Sequence, residues 1–414
     1  MDLEKYTLGI GDRFAHQGEA QLNALIKAEK AGVHVAPVWN KSFREHQTVG
    51  SNHAETKKEA DEAINALNWP GNYYVDADHI NLSNVGEFLD YANFFTIDVA
   101  DHIGEKADEE DINQFVKSNT RLIGNTEIPG IQNASQVTEN AIREIGEKYL
   151  YAAQKAGEVY RFIADKKGGD HFVAEVSMDE TDLPQTPLEL LVILSALAHK
   201  NIPLQTLAPK FSGRFNKGID YVGDISQFEK EFKADIQVLD FAVREFDLPE
   251  NLKLSIHTGS DKFSIYPVIG KIIRKYNKGI HVKTAGTTWL AEVIGMCLAG
   301  DDGLEMAKRI YRTAYNQVEK LTEAYAAVID IDQNQLPEPE KVNNWKAEEF
   351  ANTLRHVPDH PQYNPHFRQL MHVSYKIAAQ MGAEYTGLLK KYEDTIAAEV
   401  TENLFEGHIK RLFF

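Results

Sequence analysis

The sequence is almost free of cysteine, with Cys297 as the single example among 414 residues. A lone thiol cannot form a disulfide within the chain, and it cannot supply a cysteine-based metal cluster. Basic residues are in the minority, because 44 lysines and arginines stand against 62 aspartates and glutamates, for a formal net charge of −18. This excess argues against a general binder of nucleic acid or anionic membranes, since both functions need a basic face.

Long apolar runs and nucleotide-binding motifs are missing as well. No apolar run reaches the length that spans a membrane, and residues 1–14 lack the features of a signal peptide. The Gly9-Ile-Gly11 pair is too short a motif to be a dinucleotide-binding fingerprint, and no Walker-type phosphate loop occurs. These absences predict a soluble, acidic, cytoplasmic protein.

Strand-like and helix-like segments alternate along most of the chain. The predicted strands lie at 6–14, 33–40, 73–79, 94–102, 172–177, 203–211, 252–257 and 280–286. Helical patterns separate most of them, as at 20–31, 54–67 and 226–246. Eight such units predict an α/β fold of the (β/α)₈ TIM-barrel type, with an open doubly wound sheet as the alternative.

Two stretches depart from this alternation. Residues 104–165 have a helical pattern, which predicts a helical insertion after the fourth strand. From residue 301 to 414 the pattern is helical almost throughout. We therefore predict a catalytic barrel domain over 1–300 and a C-terminal helical extension over 301–414 that packs on the barrel.

Every predicted strand ends in titratable or amide side chains. The catalytic groups of a TIM barrel lie at the carboxyl ends of its strands, so these side chains should meet at one mouth. Residues two apart in a strand share a face, which pairs Asp76 with Asp78 and His281 with Lys283. The strand-end groups include Asp12, Arg13, Asn40, Lys41, Asp76, Asp78, His79, Asp98, His102, Glu175, Asp179, Lys210, His257, His281 and Lys283.

A structural interpretation competes with a functional one at each position. A single histidine at a strand end is more often a hydrogen-bonded structural residue than a ligand, and a buried aspartate there often caps a loop. Two histidines on adjacent strands, His257 and His281, close to Glu175 and Asp179, favour metal binding. Imidazole and carboxylate ligands suit Zn²⁺, Mn²⁺ or Ni²⁺ in an open catalytic site.

Five stretches of the sequence are distinctive, namely GIGDRF at 9–14, EVSMDETDLPQTPLEL at 175–190, PKFSGRFNKGIDYVGD at 209–224, IHTGSDKFSIYP at 256–267 and HVKTAGTTWLAE at 281–292. Together they resemble the tagaturonate epimerase family of bacterial sugar-acid enzymes. The resemblance covers most of the chain. It implies a metal-dependent barrel enzyme that interconverts D-tagaturonate and D-fructuronate.

The implied substrates restrict the chemistry. The two ketoses differ at a carbon β to the ketone, and the carbonyl does not acidify the C–H bond there. A retro-aldol route through an enediolate, followed by re-addition, avoids this obstacle. It needs a divalent metal ion on the ketone side, a base near the hydroxyl group and a cation for the carboxylate.

We assign roles to residues from strand position and chemistry. The predicted metal ligands are Glu175, His257 and His281. The predicted catalytic residues, as bases, a further ligand or cations, are Asp78, Asp179, Lys210 and Lys283. The predicted substrate-binding residues are Asp12, Arg13, Ser260, Lys262 and His366.

Other functions use the same kinds of metal ligands, bases and cations. A class II metal-dependent aldolase would release the two fragments, and an isomerase would move the carbonyl group between C1 and C2. A catalytically inactive barrel that senses sugar acids is a different class, but eight strand ends rich in ionisable groups argue for chemistry. We expect a small-molecule hexuronate as the partner, and homo-oligomers are compatible with the sequence.

Overall fold

The structure is a computed structural model that describes residues 1–124, 127–131, 137–169, 171–284 and 287–414. Eight strands within these ranges form a closed barrel in chain order, and β8 pairs in parallel with β1. The strands are β1 (Tyr6–Ile10), β2 (Ala36–Asn40), β3 (Tyr74–Ile80), β4 (Phe94–Asp98), β5 (Val173–Ser177), β6 (Thr206–Ala208), β7 (Lys253–His257) and β8 (Ile280–Lys283). The predicted barrel is confirmed; β3 has the predicted length, shifted by one residue, and the other seven strands are shorter than predicted.

Helices surround the barrel and cover the apolar outer faces of its strands. Those up to β8 are α1 (Gly18–Lys30), α2 (Phe43–Val49), α3 (His53–Leu67), α4 (Glu109–Ser118), α5 (Glu139–Lys167), α6 (Pro187–His199), α7 (Ile225–Glu245) and α8 (Tyr266–Tyr276). Short 3₁₀ turns lie at Val85–Glu87, Ala100–His102 and Thr120–Leu122. Capping residues determine where several of these helices begin. For example, α6 begins with a Thr186–Glu189 capping box and a proline in its first turn.

The chain after β8 is helical within its described residues. It forms α9 (Thr287–Ala299), α10 (Asp301–Tyr315), α11 (Val318–Thr322), α12 (Pro339–Asn343), α13 (Ala347–Leu354), α14 (Pro365–Val373), α15 (Tyr375–Met381), α16 (Ala383–Lys391), α17 (Glu393–Glu402) and α18 (Lys410–Phe413). Two 3₁₀ segments, Glu323–Val328 and Gln333–Gln335, and a π-helix, Asn403–Ile409, complete it.

The insertion and the extension are both helical, as predicted. The helices α4 and α5 lie between β4 and β5, where residues 125–126 and 132–136 are outside the described ranges. The extension returns to the barrel, since α17 packs on α1 and α9. Trp289 Nε1 donates a hydrogen bond of 2.7 Å to the carbonyl oxygen of Met371. Among the described residues, no helix combines the length and apolar character that a membrane crossing needs.

The carboxylate of Asp261, in the loop after β7, joins the extension to the barrel mouth. Its side chain is fully buried. Arg368 Nη2 lies 2.5 Å from Oδ2, and His408 Nε2 lies 3.0 Å from Oδ1. His356 Nδ1 is 3.2 Å from Oδ2, and Thr287 donates a bond of 2.9 Å to Oδ1. Burial would raise the pKa of Asp261, but Arg368 and the histidines lower it well below its usual value.

The same loop holds the segment between β6 and α7. Lys262 Nζ donates hydrogen bonds to the carbonyl oxygens of Asn216, at 3.0 Å, and Ile219, at 2.8 Å. Ser260 Oγ accepts a bond of 2.9 Å from the N–H of Gly218. The barrel loops after β6 and β7 and the extension therefore form one hydrogen-bonded unit.

We expect Asp261→Asn to destabilise the protein strongly. The substitution leaves the guanidinium of Arg368 buried without a counter-charge, which costs about 3–5 kcal/mol. Urea denaturation measures the free energy of unfolding. Glu384→Gln is the matched control, because it removes an exposed ion pair with Arg309 from the same extension and should have no measurable effect. Equal effects of the two substitutions would contradict the role given to Asp261.

Candidate functional site

A cavity of about 380 Å³ opens at the carboxyl ends of the strands. That volume lies in the usual range for small-molecule sites. Its lining combines barrel residues with the 3₁₀ segment Glu323–Val328 of the extension. The charged and histidine side chains in the lining are Arg44, Asp78, His79, Asp179, Glu180, Asp182, Lys210, Lys217, His257 and Lys283.

An irregularity at the end of β3 turns two neighbouring side chains into this cavity. The register between β3 and β4 shifts between Ala77 and Ile80. His79, within that interval, has a φ of 55°, a left-handed conformation that few residues other than glycine adopt. Strict alternation would send Asp78 and His79 to opposite faces, but this bulge places both in the cavity lining.

Two histidines each hold one ring nitrogen against a carboxylate. His79 Nδ1 lies 2.8 Å from Asp98 Oδ2, and His257 Nε2 lies 2.8 Å from Glu175 Oε1. Contacts of this kind fix the orientation of an imidazole ring and select the nitrogen that remains for a metal ion. They leave His79 Nε2 and His257 Nδ1 as the potential ligand atoms.

His79, His257 and Asp179 form a potential ligand set for a metal ion. One ligand atom from each lies within 4.8 Å of the other two. His257 Nδ1 is 3.2 Å from Asp179 Oδ2, yet it is buried and makes no hydrogen bond. Two imidazoles and one carboxylate leave coordination positions open, as in catalytic zinc sites. The residues therefore fit a divalent metal ion.

The ammonium group of Lys283 lies among three carboxylates beside this set. Its Nζ is 2.7 Å from Asp76 Oδ2, 2.8 Å from Asp78 Oδ1 and 3.2 Å from Glu175 Oε1. Burial would lower the pKa of Lys283, but the three carboxylates raise it well above its usual value. Lys283 is therefore a fixed positive charge at the floor of the cavity.

The carboxylates also act on the two histidines. Burial alone would lower the pKa of His79, but Asp78 and the hydrogen bond to Asp98 raise it to about 10. Burial opposes a charge on His257 too, yet Asp179 and Glu175 raise its pKa to about 9. The site thus favours positive charge between these groups, either as protons on the rings or as a bound cation.

Five of the predicted residues line the cavity, namely Asp78, Asp179, Lys210, His257 and Lys283. Glu175, predicted as a metal ligand, lies beneath them with Oε1 in contact with both His257 and Lys283. That contact uses the oxygen to orient the His257 ring. The ligand role of Glu175 stays a prediction, and the geometry favours a positioning role.

His281, also predicted as a ligand, lies deeper in the barrel. Its Nδ1 is 2.8 Å from the hydroxyl oxygen of Thr7 on β1. It precedes Lys283 by two residues on the same face of β8, which places it one layer below the cavity floor. Burial lowers the pKa of His281 to about 3, so its ring is neutral. The geometry favours His79 in its place.

The predicted substrate-binding residues lie outside the cavity lining, and their role stays a prediction that the geometry does not favour. The carboxylate of Asp12 accepts hydrogen bonds from backbone N–H groups that follow β1. Arg13 Nε is 2.9 Å from Glu45 Oε1. Ser260 and Lys262 hold the loop after β6, as described above, and His366 Nδ1 accepts a bond from a backbone N–H of the extension.

Arg44, Lys217 and Tyr325 line the cavity but were not assigned a role from the sequence. The Ser42–Glu45 capping box that starts α2 is a recognisable signal for the helix that carries Arg44. Lys217 and Tyr325 follow no strand directly, so a search of strand ends passes over them.

Comparison with known proteins identifies relatives along the whole chain. A family model described as tagaturonate epimerase matches residues 1–412. The chain is 27% identical over 416 residues to a tagaturonate/fructuronate epimerase from Thermotoga maritima, which covers 98% of this chain and 79% of that protein.

Solved structures show the same fold. Glycerol-bound and native crystal structures of a fructuronate-tagaturonate epimerase from Cohnella laeviribosi match with TM-scores of 0.80 and 0.77. Each is 24% identical and covers 100% of this chain and 82% of the other.

We expect the purified protein to bind a divalent metal ion through His79, Asp179 and His257. His79→Ala and His257→Ala should abolish retention of Zn²⁺, Mn²⁺ or Ni²⁺ after dialysis, as measured by inductively coupled plasma mass spectrometry. Asp98→Asn, which loosens the His79 ring, should weaken metal affinity by about 10–100-fold.

His281→Gln is the matched control, because it removes a buried imidazole outside the proposed ligand set. This variant should retain the metal. Retention by His79→Ala together with loss by His281→Gln would instead favour Glu175, His257 and His281 as the ligands.

Proposed function

The chain belongs to the tagaturonate epimerase family, and we propose that it is a metal-dependent enzyme that interconverts D-tagaturonate and D-fructuronate. The family match and the activity named for the Thermotoga maritima relative support the epimerase class. The observation that carries the metal-dependent part is the convergence of His79, Asp179 and His257 beside Asp78 and Lys283.

The substrates dictate which bond must change. Tagaturonate and fructuronate differ at C4, whereas the ketone is at C2, so loss of the C4 proton gives a carbanion that the ketone does not stabilise. Cleavage of the C3–C4 bond leaves its electron pair on C3, next to the ketone, where conjugation spreads the charge. A retro-aldol cleavage followed by aldol addition is therefore the favourable route.

The proton and electron movements balance within the substrate and one base. The base accepts the proton of the C4 hydroxyl group, C4 becomes an aldehyde, and the C3–C4 electron pair forms an enediolate over C3 and C2. The aldehyde turns about its C4–C5 bond, the enediolate adds to its other face, and the base returns the proton to the C4 oxygen. No external oxidant or reductant is needed.

Asp78 is placed to act as this base. It lines the cavity, and Lys283 Nζ binds its Oδ1 at 2.8 Å. This contact holds the carboxylate in one orientation and supplies a cation that offsets charge as the enediolate forms. A divalent metal ion at His79, Asp179 and His257 would polarise the ketone oxygen and stabilise that charge further.

The extension favours an epimerase over an aldolase. The segment Glu323–Val328 contributes Ala324, Tyr325, Ala327 and Val328 to the cavity wall. A wall on this side hinders escape of the aldehyde fragment while it turns. An aldolase needs the opposite, since it must release both three-carbon fragments.

We expect tagaturonate to be converted to fructuronate only when a divalent metal ion is present. Proton NMR of the wild-type protein with tagaturonate, first after EDTA and then with Mn²⁺, Ni²⁺ or Zn²⁺ added singly, measures this. Product that forms only with metal supports the proposal and names the ion. Accumulation of free three-carbon fragments would favour the aldolase, and full turnover after EDTA would contradict metal dependence.

The retro-aldol route predicts that hydrogen at C4 never leaves the carbon. Tagaturonate labelled with deuterium at C4 should therefore give fructuronate with the label retained, as measured by NMR and mass spectrometry. Loss of the label to solvent would contradict this route and favour removal of the C4 hydrogen.

A further inference from the structure

Lys217, in the loop between β6 and α7, brings an unpaired ammonium group to the cavity. It lines the cavity, and within the described part of the chain its Nζ makes no hydrogen bond or ion pair. Burial lowers the pKa of Lys217, and the nearby Glu45 offsets this only in part. Lys217 is half-buried, and a cation that faces the cavity without an ion pair favours an anion at this point.

Most other cations near the mouth already have partners. Lys283 is bound by three carboxylates, Arg13 is paired with Glu45, and Lys262 donates to backbone carbonyl groups. Arg44 is exposed, and its guanidinium packs over the ring of Tyr325. These side chains are therefore poor choices for a ligand that must be held in one place.

Lys210 is the alternative candidate for binding an anion, because it also lines the cavity without an ion pair among the described residues. It follows the end of β6 by two residues and so belongs to the ring of strand-end groups around the base. Lys217 stands instead on the side of the extension, since its N–H donates a bond of 2.7 Å to the carbonyl oxygen of Val328. The backbones of the two lysines thus lie in different surroundings, that of Lys210 at the strand end and that of Lys217 against the extension.

The loop around Lys217 is held rigidly. The next residue, Gly218, donates its N–H to Ser260 and accepts a bond from Arg368. The Lys217 ammonium lies against Gly259, where a Cβ atom would come within 3.2 Å of Nζ. Gly259 follows His257 by two residues and has a φ of 63°. Nζ therefore lies beside the loop that begins at the proposed metal ligand.

We propose that Lys217 binds the carboxylate of the substrate and so determines the preference for a hexuronate over a neutral ketose. This inference rests on the proposed function. A carboxylate held by Lys217 leaves the ketone end of a six-carbon chain for His79, Asp179 and His257. It also keeps the aldehyde fragment attached to the protein through C6 while C4 turns. Lys217 is thus both a specificity residue and an anchor against loss of the fragment.

The test compares Lys217→Met with two controls in steady-state assays on tagaturonate and on tagatose, its neutral counterpart with CH₂OH at C6. Lys217→Met should lower kcat/KM for tagaturonate by about 30-fold or more, because it removes the cation that pairs with the substrate carboxylate. It should leave kcat/KM for tagatose within about twofold. Lys217→Arg keeps the charge and should recover part of the loss.

Lys376→Met is the matched control for the loss of a cation. Lys376 packs over the ring of Tyr325 at 4.7 Å but does not line the cavity, so the ratio of the two kcat/KM values should not change. Two further readouts do not depend on tagatose turnover. Tagaturonate should raise the Tm of the wild type and Lys376→Met but not of Lys217→Met, and only Lys217→Met should release measurable three-carbon fragments.

The outcomes separate this inference from the proposed function. If the wild type epimerises tagaturonate and Lys217→Met keeps its kcat/KM and its Tm shift, the assignment of Lys217 is wrong. Equal losses on tagaturonate and tagatose would also overturn it, since they indicate a general role in folding or catalysis. If the wild type neither turns over nor binds tagaturonate, the proposed function fails and this inference fails with it.

Discussion

The arrangement of the site depends on the compensation of buried negative charge at the barrel mouth. Asp76 and Asp78 of β3 are brought together with Glu175 of β5 and Asp179 just after it, and the mutual repulsion of these carboxylates would be costly in a low-dielectric interior. Lys283 offsets three of them from within the barrel. The remaining negative charge is offset by His79 and His257 or by a cation beside Asp179. The carboxylates that hold the two histidines in place therefore also suit a divalent cation.

Parts of this arrangement follow from the sequence because they depend on local periodicity. The alternation of strands and helices predicts the barrel, and the fold then places Asp78, Asp179, Lys210, His257 and Lys283 at one mouth. The sequence does not show as simply how deep in the barrel a given strand residue lies. His281 and Lys283 share a face of β8, yet only Lys283 reaches the cavity, because two residues of strand displace a side chain by about 7 Å.

Other parts of the site depend on departures from regular structure, which the periodicity of the sequence does not reveal. The bulge at the end of β3 redirects His79, and strict alternation gives its side chain the wrong face. Tyr325 and Lys217 enter the cavity through packing between segments far apart in sequence. Residues such as these do not directly follow a strand, so their sequence position does not indicate that they line the site. Only the tertiary contacts identify them.

The extension is joined to the chemistry through the loop after β7. That loop begins at His257, passes Gly259 against Lys217 and continues to Asp261, whose carboxylate binds Arg368 of the extension. Displacement of the extension would move Lys217 as well as the cavity wall, since Gly218 and Val328 both hold its backbone. The proposed retro-aldol route breaks a carbon–carbon bond and re-forms it in the same place, so it requires both fragments to stay where they are. The connection between the extension and the loop after β7 would meet that requirement, whereas an open barrel mouth would favour their release.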